Sequence, residues 1–93
     1  MKVQVLYFAD FKDITGKDKE SFDLNKKNLT ELVNLLLEKY EPIKNLIWDD
    51  KNQSLKRIIS IAINDNLVQK KNQLSVSLSD GDKVAFLLPV SGG

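Results

Sequence analysis

The sequence contains neither cysteine nor histidine among its 93 residues. The lack of cysteine excludes disulfides and thiolate nucleophiles, and the lack of both residue types excludes the usual zinc ligand sets. Without histidine, the chain also lacks the side chain that most often acts as a general base near neutral pH. Any chemistry in which this chain takes part must therefore use other groups or the side chains of a partner.

Neither sign of charge is in excess, since 14 lysines and arginines face 13 acidic residues and the formal net charge is +1. Such a balance lacks the basic footprint of nucleic-acid or anionic-membrane binding, so we expect no nucleic-acid partner and no membrane partner. The N-terminal residues lack the apolar segment and cleavage site of a secretion signal, and no apolar run approaches the length of a bilayer span. We therefore expect a cytoplasmic protein.

What the sequence does contain is a pattern of apolar residues that predicts one small domain. The β-branched and aromatic segment 2–9 indicates a strand, and the alternating segment 19–24 indicates a second strand that forms a hairpin with the first. Leucine and valine at helical spacing predict a helix that begins after Asn28 or Thr30 as its N-cap and ends before Pro42.

Two further strands are predicted in the second half of the chain, at 57–64 and 83–90. A turn at 64–66 leads from the first of them into a short strand around Leu67, and a turn at 80–82 precedes the last. The order β-β-α-β-β predicts an α+β fold with one main helix on a mixed sheet of about four or five strands. The acidic pairs Asp49–Asp50 and Asp80/Asp82 are predicted to be turn residues rather than a metal site.

The predicted sheet has more apolar residues than one helix can cover. In the first strand Val5 and Tyr7 point one way and Leu6 and Phe8 the other. In the last strand Phe86 and Leu87 alternate, so at least one of them must face the core, and we expect Leu87 to point outward. An exposed apolar face of this kind is typical of a protein interface. The alternative is that segment 41–57, which is predicted to contain one short helical turn, packs over this face as a lid.

The sequence ends in VAFLLPVSGG, which predicts a folded domain over 1–89 and a flexible tail over 90–93. Because glycine has no Cβ, Gly92 and Gly93 could enter a channel too narrow for any side chain. The carboxylate of Gly93 would then be a reactive handle, which ATP can convert to an acyl-adenylate that a nucleophile attacks. Pro89 would stiffen the exit of the tail, and the alternative is an inert, frayed end.

Four segments resemble the MoaD family, the small subunits of molybdopterin synthase among the β-grasp (ubiquitin-like) sulfur carriers. They are VLYFAD, LTELVNLLLEKY, IAINDNLV and DGDKVAFLLPVSGG. The last is the most specific, since the family typically ends in a D-G-D-x-V-A turn and strand followed by a Pro-Pro-Val-Ser/Thr-Gly-Gly-like tail. Leu88 stands where the first of those prolines is usual. The resemblance implies a β-grasp fold.

The resemblance also implies a mechanism in which the chain binds no cofactor itself. A MoeB-like adenylyltransferase, using ATP and magnesium, would adenylate Gly93, and a cysteine desulfurase or rhodanese-like donor would supply the sulfur of a C-terminal thiocarboxylate. The loaded tail would enter a MoaE-like large subunit, in a heterotetramer of two small and two large subunits. There it would donate sulfur to cyclic pyranopterin monophosphate, and the catalytic side chains would belong to the large subunit.

The site residues implied by the resemblance fall into two groups. Partner docking would use an apolar patch with a basic residue beside it, at Phe8, Lys12, Leu67 and Leu87. Positioning of the reactive Gly92 and Gly93 would depend on Pro89, Val90 and Ser91.

Three other functions remain open. A ThiS-like carrier for thiamine thiazole synthesis would use the same chemistry, although such chains are usually shorter and lack the tail proline. A ubiquitin-like modifier would form isopeptide bonds to lysines, and a plain interaction module would have inert glycines.

Overall fold

The computed structural model describes residues 1–69, 71 and 73–89. Secondary structure follows the order β1 (Lys2–Leu6), α1 (Asp10–Thr15), β2 (Lys19–Asp23), α2 (Leu29–Lys39), α3 (Glu41–Ile47), β3 (Trp48–Asp49), β4 (Ser54–Leu55), β5 (Ser60–Ile63), β6 (Asn66–Leu67), a 3₁₀ turn (Gln73–Ser75) and β7 (Lys83–Leu87). No helix within these residues is long and apolar enough to cross a bilayer.

The main sheet has five strands in the order β2-β1-β7-β5-β6. The first and last strands lie side by side at its centre and run parallel, whereas every other neighbouring pair is antiparallel. A parallel pair requires a crossover connection, and α2 and α3 lie within that connection. The predicted α+β fold with a mixed sheet is confirmed, and its arrangement is that of a β-grasp domain.

The main helix α2 begins where its sequence predicts. The side-chain oxygen of Asn28 accepts a hydrogen bond from the backbone N–H of Glu31 at 3.0 Å, so Asn28 is the N-cap. Thr30, the other candidate, instead donates its hydroxyl to the carbonyl of Leu74. The helix ends at Lys39, before Pro42, as predicted.

The core lies between a helical layer, formed by α2 and α3, and one face of the sheet. Every one of its largest members is less than 2% exposed: Leu29, Leu32, Leu36, Ile43, Ile47, Ile59, Ile61, Val3, Val5, Val33 and Val84. The alternation of β1 and β7 therefore places one set of side chains inside and leaves the other set on the opposite face.

The connection between β1 and β2 differs from the hairpin loop that the sequence predicts. It contains α1, which buries Phe11 and ends at Thr15. The C-cap is Gly16, whose φ of 71° allows its backbone N–H to reach the carbonyl of Lys12. Because α1 has a single buried residue, it has no helical periodicity that the sequence could reveal.

Segment 41–57 extends the helical layer and does not cover the opposite face. Its predicted helical turn is α3, whose Ile43 and Ile47 join the same core as α2. The rest of the segment forms a separate two-stranded ribbon of β3 and β4. The lid alternative is therefore wrong, and no segment of the chain that the structure describes covers the apolar side of the sheet.

Candidate functional site

A row of apolar side chains crosses the open face of the sheet. Leu6 of β1 lies opposite Ala85 of β7, Ala85 lies opposite Ala62 of β5, and Ala62 lies opposite Leu67 of β6. Residues paired across strands in this way point to the same side of a sheet. The two central residues are alanines, whose short side chains leave a depression between the larger side chains of Leu6 and Leu67.

This arrangement produces a groove of about 450 Å³, which we call the sheet-face groove. Leu6, Ala62, Leu67 and Ala85 line it, together with Phe8 and Leu87 at the end of the sheet from which the chain leaves β7. Phe8 is 51% exposed and Leu67 is 70% exposed, although both are large apolar residues. Exposed apolar groups gathered around one depression are typical of a protein interface.

Polar residues close the other end of the sheet-face groove. Asn64, Asp65 and Lys83 line that end. The side chain of Asn64 accepts a hydrogen bond from the backbone N–H of Lys83 at 3.0 Å and donates one to Asp82 at 2.9 Å. An apolar floor with a hydrogen-bonded polar rim is a common feature of binding surfaces.

Phe8 points outward because the residues on either side of it are held in place. Tyr7, on the core side, donates its hydroxyl to Glu20 at 2.8 Å. Ala9 has a φ of 49° and a ψ of −122°, a conformation that favours glycine, and it turns the chain from β1 into α1. The carbonyl of Phe8 accepts a hydrogen bond from the N–H of Phe11 at 3.0 Å.

Glu20 is the centre of a partly buried polar cluster behind Phe8. Tyr7, Lys17, Lys39 and Tyr40 all donate hydrogen bonds to its carboxylate. Burial by itself would raise the pKa of Glu20, but these hydrogen bonds outweigh it and lower the pKa to about 2. Burial and the adjacent Glu20 also raise the pKa of Tyr7 far above its usual range. At neutral pH the carboxylate of Glu20 is therefore ionised and the hydroxyl of Tyr7 is neutral.

A second apolar groove, of about 460 Å³, lies at the end of β7; we call it the tail-root groove. Ile58, Leu88 and Pro89 line it. Phe8 and Leu87 line both grooves, so the apolar surface is continuous from the open face of the sheet to Pro89. Pro89 is the last residue of this surface that the structure describes.

The structure brings three of the four predicted docking residues together. Phe8, Leu67 and Leu87 line the same groove, whereas Phe86 is buried in the core, as the predicted outward orientation of Leu87 requires. Lys12 lies on α1, lines neither groove, and forms an ion pair with Asp18 at 2.8 Å.

The remaining predicted residues fall at and beyond the edge of the described chain. Pro89 lies at the tail root, and Val90, Ser91, Gly92 and Gly93 lie outside the described residues. Sequence reasoning missed Ile58, which is 55% exposed. The sequence could have revealed it, because alternation along the predicted strand 57–64 places Ile58 on the opposite side from the core residue Ile59.

Asp50 and Asp80 lie in turns, as predicted, whereas Asp49 is the last residue of β3 and Asp82 directly follows its turn. Asp49 accepts hydrogen bonds from the N–H groups of Lys51 and Asn52, and Asp82 accepts one from the N–H of Ser79. Within the described residues, no group of three or more histidine, cysteine or acidic side chains is placed to hold a metal ion.

Fold and surface together define a ubiquitin-like β-grasp domain that has an open apolar face leading to the root of its C-terminal tail. The ThiS family model matches residues 5–93, and the chain belongs to that family of ubiquitin-like sulfur carriers.

Comparisons with individual proteins agree with this assignment. The chain is 28% identical, over 100% of both sequences, to a protein of Chlamydomonas reinhardtii named molybdopterin synthase sulfur carrier subunit. It is 30% identical to small archaeal modifier protein 1 of Methanosarcina acetivorans, with a TM-score of 0.80 over 99% of this chain and 96% of that one. A chain of the BexX/CysO complex of Amycolatopsis orientalis shares the fold, with a TM-score of 0.76, 24% identity, and coverage of 98% and 99%.

Proposed function

We propose that this protein is the sulfur-carrier subunit of a molybdopterin synthase. The name of the Chlamydomonas relative, which is aligned over its whole length, supports this pathway. The observation that carries the docking part of the proposal is the continuous apolar surface from Leu67 through Phe8 and Leu87 to Pro89. The protein would act in the cytoplasm.

The reactive group in this proposal is the carboxylate of Gly93. One of its oxygens attacks the α-phosphate of ATP in a MoeB-like adenylyltransferase, with magnesium, and pyrophosphate leaves. The terminal sulfur of a persulfide on a cysteine desulfurase or rhodanese-like donor then displaces AMP and forms an acyl disulfide. A thiol cleaves its S–S bond, which leaves the thiocarboxylate on Gly93 and a disulfide on the donor. In a MoaE-like large subunit, within the heterotetramer, the thiocarboxylate donates its sulfur to cyclic pyranopterin monophosphate. The chain itself needs no bound cofactor and no catalytic side chain.

Tail length makes the position of the docking surface important. Residues 90–93 follow Pro89, and four extended residues reach roughly 14 Å. A partner that receives Gly93 in its active site must therefore contact the domain close to the tail root. The two grooves offer an apolar contact within this reach of the tail root. The adenylyltransferase and the large subunit would have to bind this same surface one after the other.

The test supplies the chain with a C-terminal thiocarboxylate to a MoaE-type large subunit and cyclic pyranopterin monophosphate. We expect molybdopterin to form, and we expect none from the same chain with its ordinary carboxylate. A large subunit that is active with its own carrier but inactive with this one would refute the pathway.

A second function, protein modification, is favoured by the 30% identity to small archaeal modifier protein 1. In that case Gly93 would form isopeptide bonds to lysine side chains of target proteins. Covalent adducts that depend on Gly92 and Gly93, in a cell extract with ATP, would favour this function. Thiazole synthesis with a ThiS-like acceptor enzyme is the third assay, since the family model carries that name.

Removal of Gly92 and Gly93 separates all of these functions from an inert interaction module. We expect loss of sulfur transfer with no change in the unfolding curve, because two glycines have no apolar side chains to contribute to a core. Unchanged activity after the deletion would leave only the inert module.

A further inference from the structure

Ile58 lines the tail-root groove at a position where the local structure gives no reason for an isoleucine. It lies in the turn between β4 and β5, in which the backbone N–H of Ile59 donates a hydrogen bond to the carbonyl of Lys56 at 3.1 Å. Ile58 is 55% exposed, and turn positions favour glycine, proline and small polar residues over β-branched apolar ones. Neither the turn nor the core explains this side chain, which makes it a candidate contact for a partner.

Asp10 is the one ionisable residue among the described residues that line the same groove. It is the first residue of α1, and it is exposed. The ion pairs that form within the described part of the chain use Asp18, Glu20 and Asp50 instead. An acidic residue thus stands in an apolar depression without a cation from the described residues, and a basic group of another molecule would complement it.

The apolar part of the tail-root groove suits the stem of a long basic side chain. Phe8 is half exposed, and Ile58 and Leu87 line the same depression. An arginine combines an apolar stem with a planar guanidinium, which can stack on an aromatic ring and donate two parallel hydrogen bonds to a carboxylate. A lysine ends in a compact and strongly hydrated charge, so it fits such a surface less well.

We propose that the tail-root groove binds an arginine side chain of the partner enzyme. Its stem packs on Ile58 and Leu87, and its guanidinium lies on the ring of Phe8 and pairs with Asp10. The inference rests on the proposed function in one respect, since the enzyme that receives the tail supplies the arginine. Because the groove lies at the root of the tail, this contact would fix the position at which the tail enters the partner.

A titration with a small molecule tests the groove without any partner enzyme. The probe is n-butylguanidinium chloride, which has an apolar stem and the charge of an arginine. It is added to the isotope-labelled full chain and followed by NMR, at constant ionic strength maintained with sodium chloride. We expect saturable shifts of the backbone amides of Asp10, Phe11 and Ile58. N-Butylurea has the same shape without the charge, and it should bind about threefold more weakly or worse.

Matched variants identify the acidic residue of the site. Asp10→Asn should weaken binding of n-butylguanidinium by about threefold or more and make it equal to that of N-butylurea. The control, Asp13→Asn, removes the same charge from the first turn of the same helix, and Asp13 lines neither groove. It should change binding by less than about twofold, because salt screens a charge outside the groove.

Calorimetry with a MoaE-type large subunit tests the same contact in the complex. Asp10→Asn should weaken the affinity by about threefold or more, and Ile58→Asn by about tenfold, because the latter removes an apolar contact near the centre of the surface. Ile58→Val keeps most of that side chain and should bind nearly as well as the parent. The unfolding curves of these variants should stay close to that of the parent, since asparagine suits a turn and Ile58 is exposed.

Several results would overturn the proposal. Equal binding of N-butylurea would show that the groove takes an uncharged apolar group, and equal binding of n-butylammonium would replace the arginine by a lysine. Equal weakening by Asp13→Asn would show that only general charge is sensed. Shifts of the same amides on dilution of the free chain would show that a second copy occupies the groove.

The outcome for the proposed function is separate. A large subunit that binds the parent and Asp10→Asn equally would overturn the arginine contact and leave the pathway intact. A large subunit that does not bind the parent at all, while n-butylguanidinium binds as expected, would refute the pathway and leave the arginine site intact.

Discussion

At the scale of single residues, Ala9 has a backbone conformation that its side chain disfavours. Its φ of 49° combined with a ψ of −122° lies in a region that glycine adopts easily and other residues rarely do. This turn directs Phe8 outward and begins α1 in the next residue. The position therefore stores strain next to the proposed docking surface.

Ala9→Gly should stabilise the protein by about 1 kcal/mol, because relief of the strain exceeds the extra entropy of glycine in the unfolded chain. Urea unfolding monitored by circular dichroism measures this difference. Ala62→Gly is the matched control, since Ala62 lies within β5. It should destabilise by about 1 kcal/mol. If both variants lose stability equally, Ala9 is not strained.

Glu20 is the second residue whose environment leads to a prediction. Its pKa is about 2 in the folded protein, below its ordinary value of 4.5. A lowered pKa in the folded state means that the stabilising contribution is complete above about pH 4.5 and is lost as the pH falls toward 2.

Glu20→Gln should therefore be less stable than the parent by about 1–2 kcal/mol at pH 7, because the charge-assisted hydrogen bonds are lost. The difference should shrink as the pH falls from 4.5 to 2 and disappear near pH 2. Urea unfolding at pH 7, 4 and 2.5 measures it. Glu38→Gln, an exposed change on α2, is the control and should show no comparable trend.

At the scale of elements, α2 depends on its first turn as well as on its apolar stripe. Asn28 caps the N–H of Glu31, and the carboxylate of Glu31 accepts hydrogen bonds from the N–H groups of Asn25 and Lys26. The side chain of Glu31 thus links the segment before α2 to the first turn of the helix. The spacing of Asn28 and Glu31 predicts a capping box, in which the Glu31 side chain would accept a hydrogen bond from the backbone N–H of Asn28. In the structure that side chain accepts its hydrogen bonds from the N–H groups of Asn25 and Lys26 instead.

Asn28→Ala should destabilise the protein by about 1 kcal/mol, since one N–H of the first turn would lose its acceptor. Asn28→Ser should recover most of the loss because its hydroxyl can accept the same hydrogen bond. Asn34→Ala, at an exposed position in the same helix, should be neutral or slightly stabilising. Thermal or urea unfolding of the three variants gives the comparison, and equal effects at Asn28 and Asn34 would contradict it.

At the scale of the whole molecule, the helical layer covers one face of the sheet and leaves the other open. Leu67 is the most exposed large apolar residue of the described chain, at 70%, and it stands at one end of the sheet-face groove. It contributes little to the core, so its chemistry can be changed without a large loss of stability.

Leu67→Asp should weaken binding to a MoaE-type large subunit by about tenfold or more, because it places an uncompensated charge in an apolar contact. Its unfolding curve should stay close to that of the parent. Asn34→Asp adds the same charge on α2, on the other side of the sheet, and should bind normally. Calorimetry of the two variants is the measurement, and equal affinities would exclude the sheet-face groove as the docking site.

The sequence by itself determined the order of the main elements and the inward side of each long strand. Periodicity is a local property, so the alternation of β1 and β7 and the leucine spacing of α2 could be recognised without tertiary information. The short strand after the turn at 64–66 was also predictable, since Asn64 and Asp65 readily adopt the positive φ values that the turn has. The tail motif was likewise evident before any fold was known.

Only the tertiary structure decided which surfaces face each other and which stay open. Phe8, Leu67 and Leu87 come from distant parts of the sequence, and they line one groove because β1, β7, β5 and β6 are neighbours in the sheet. The short helix α1 and the core position of α3 depend equally on packing between distant segments. Such contacts cannot be predicted from local sequence. Which strands become neighbours depends on how apolar residues from the whole chain are buried together, not on the residues of one strand alone.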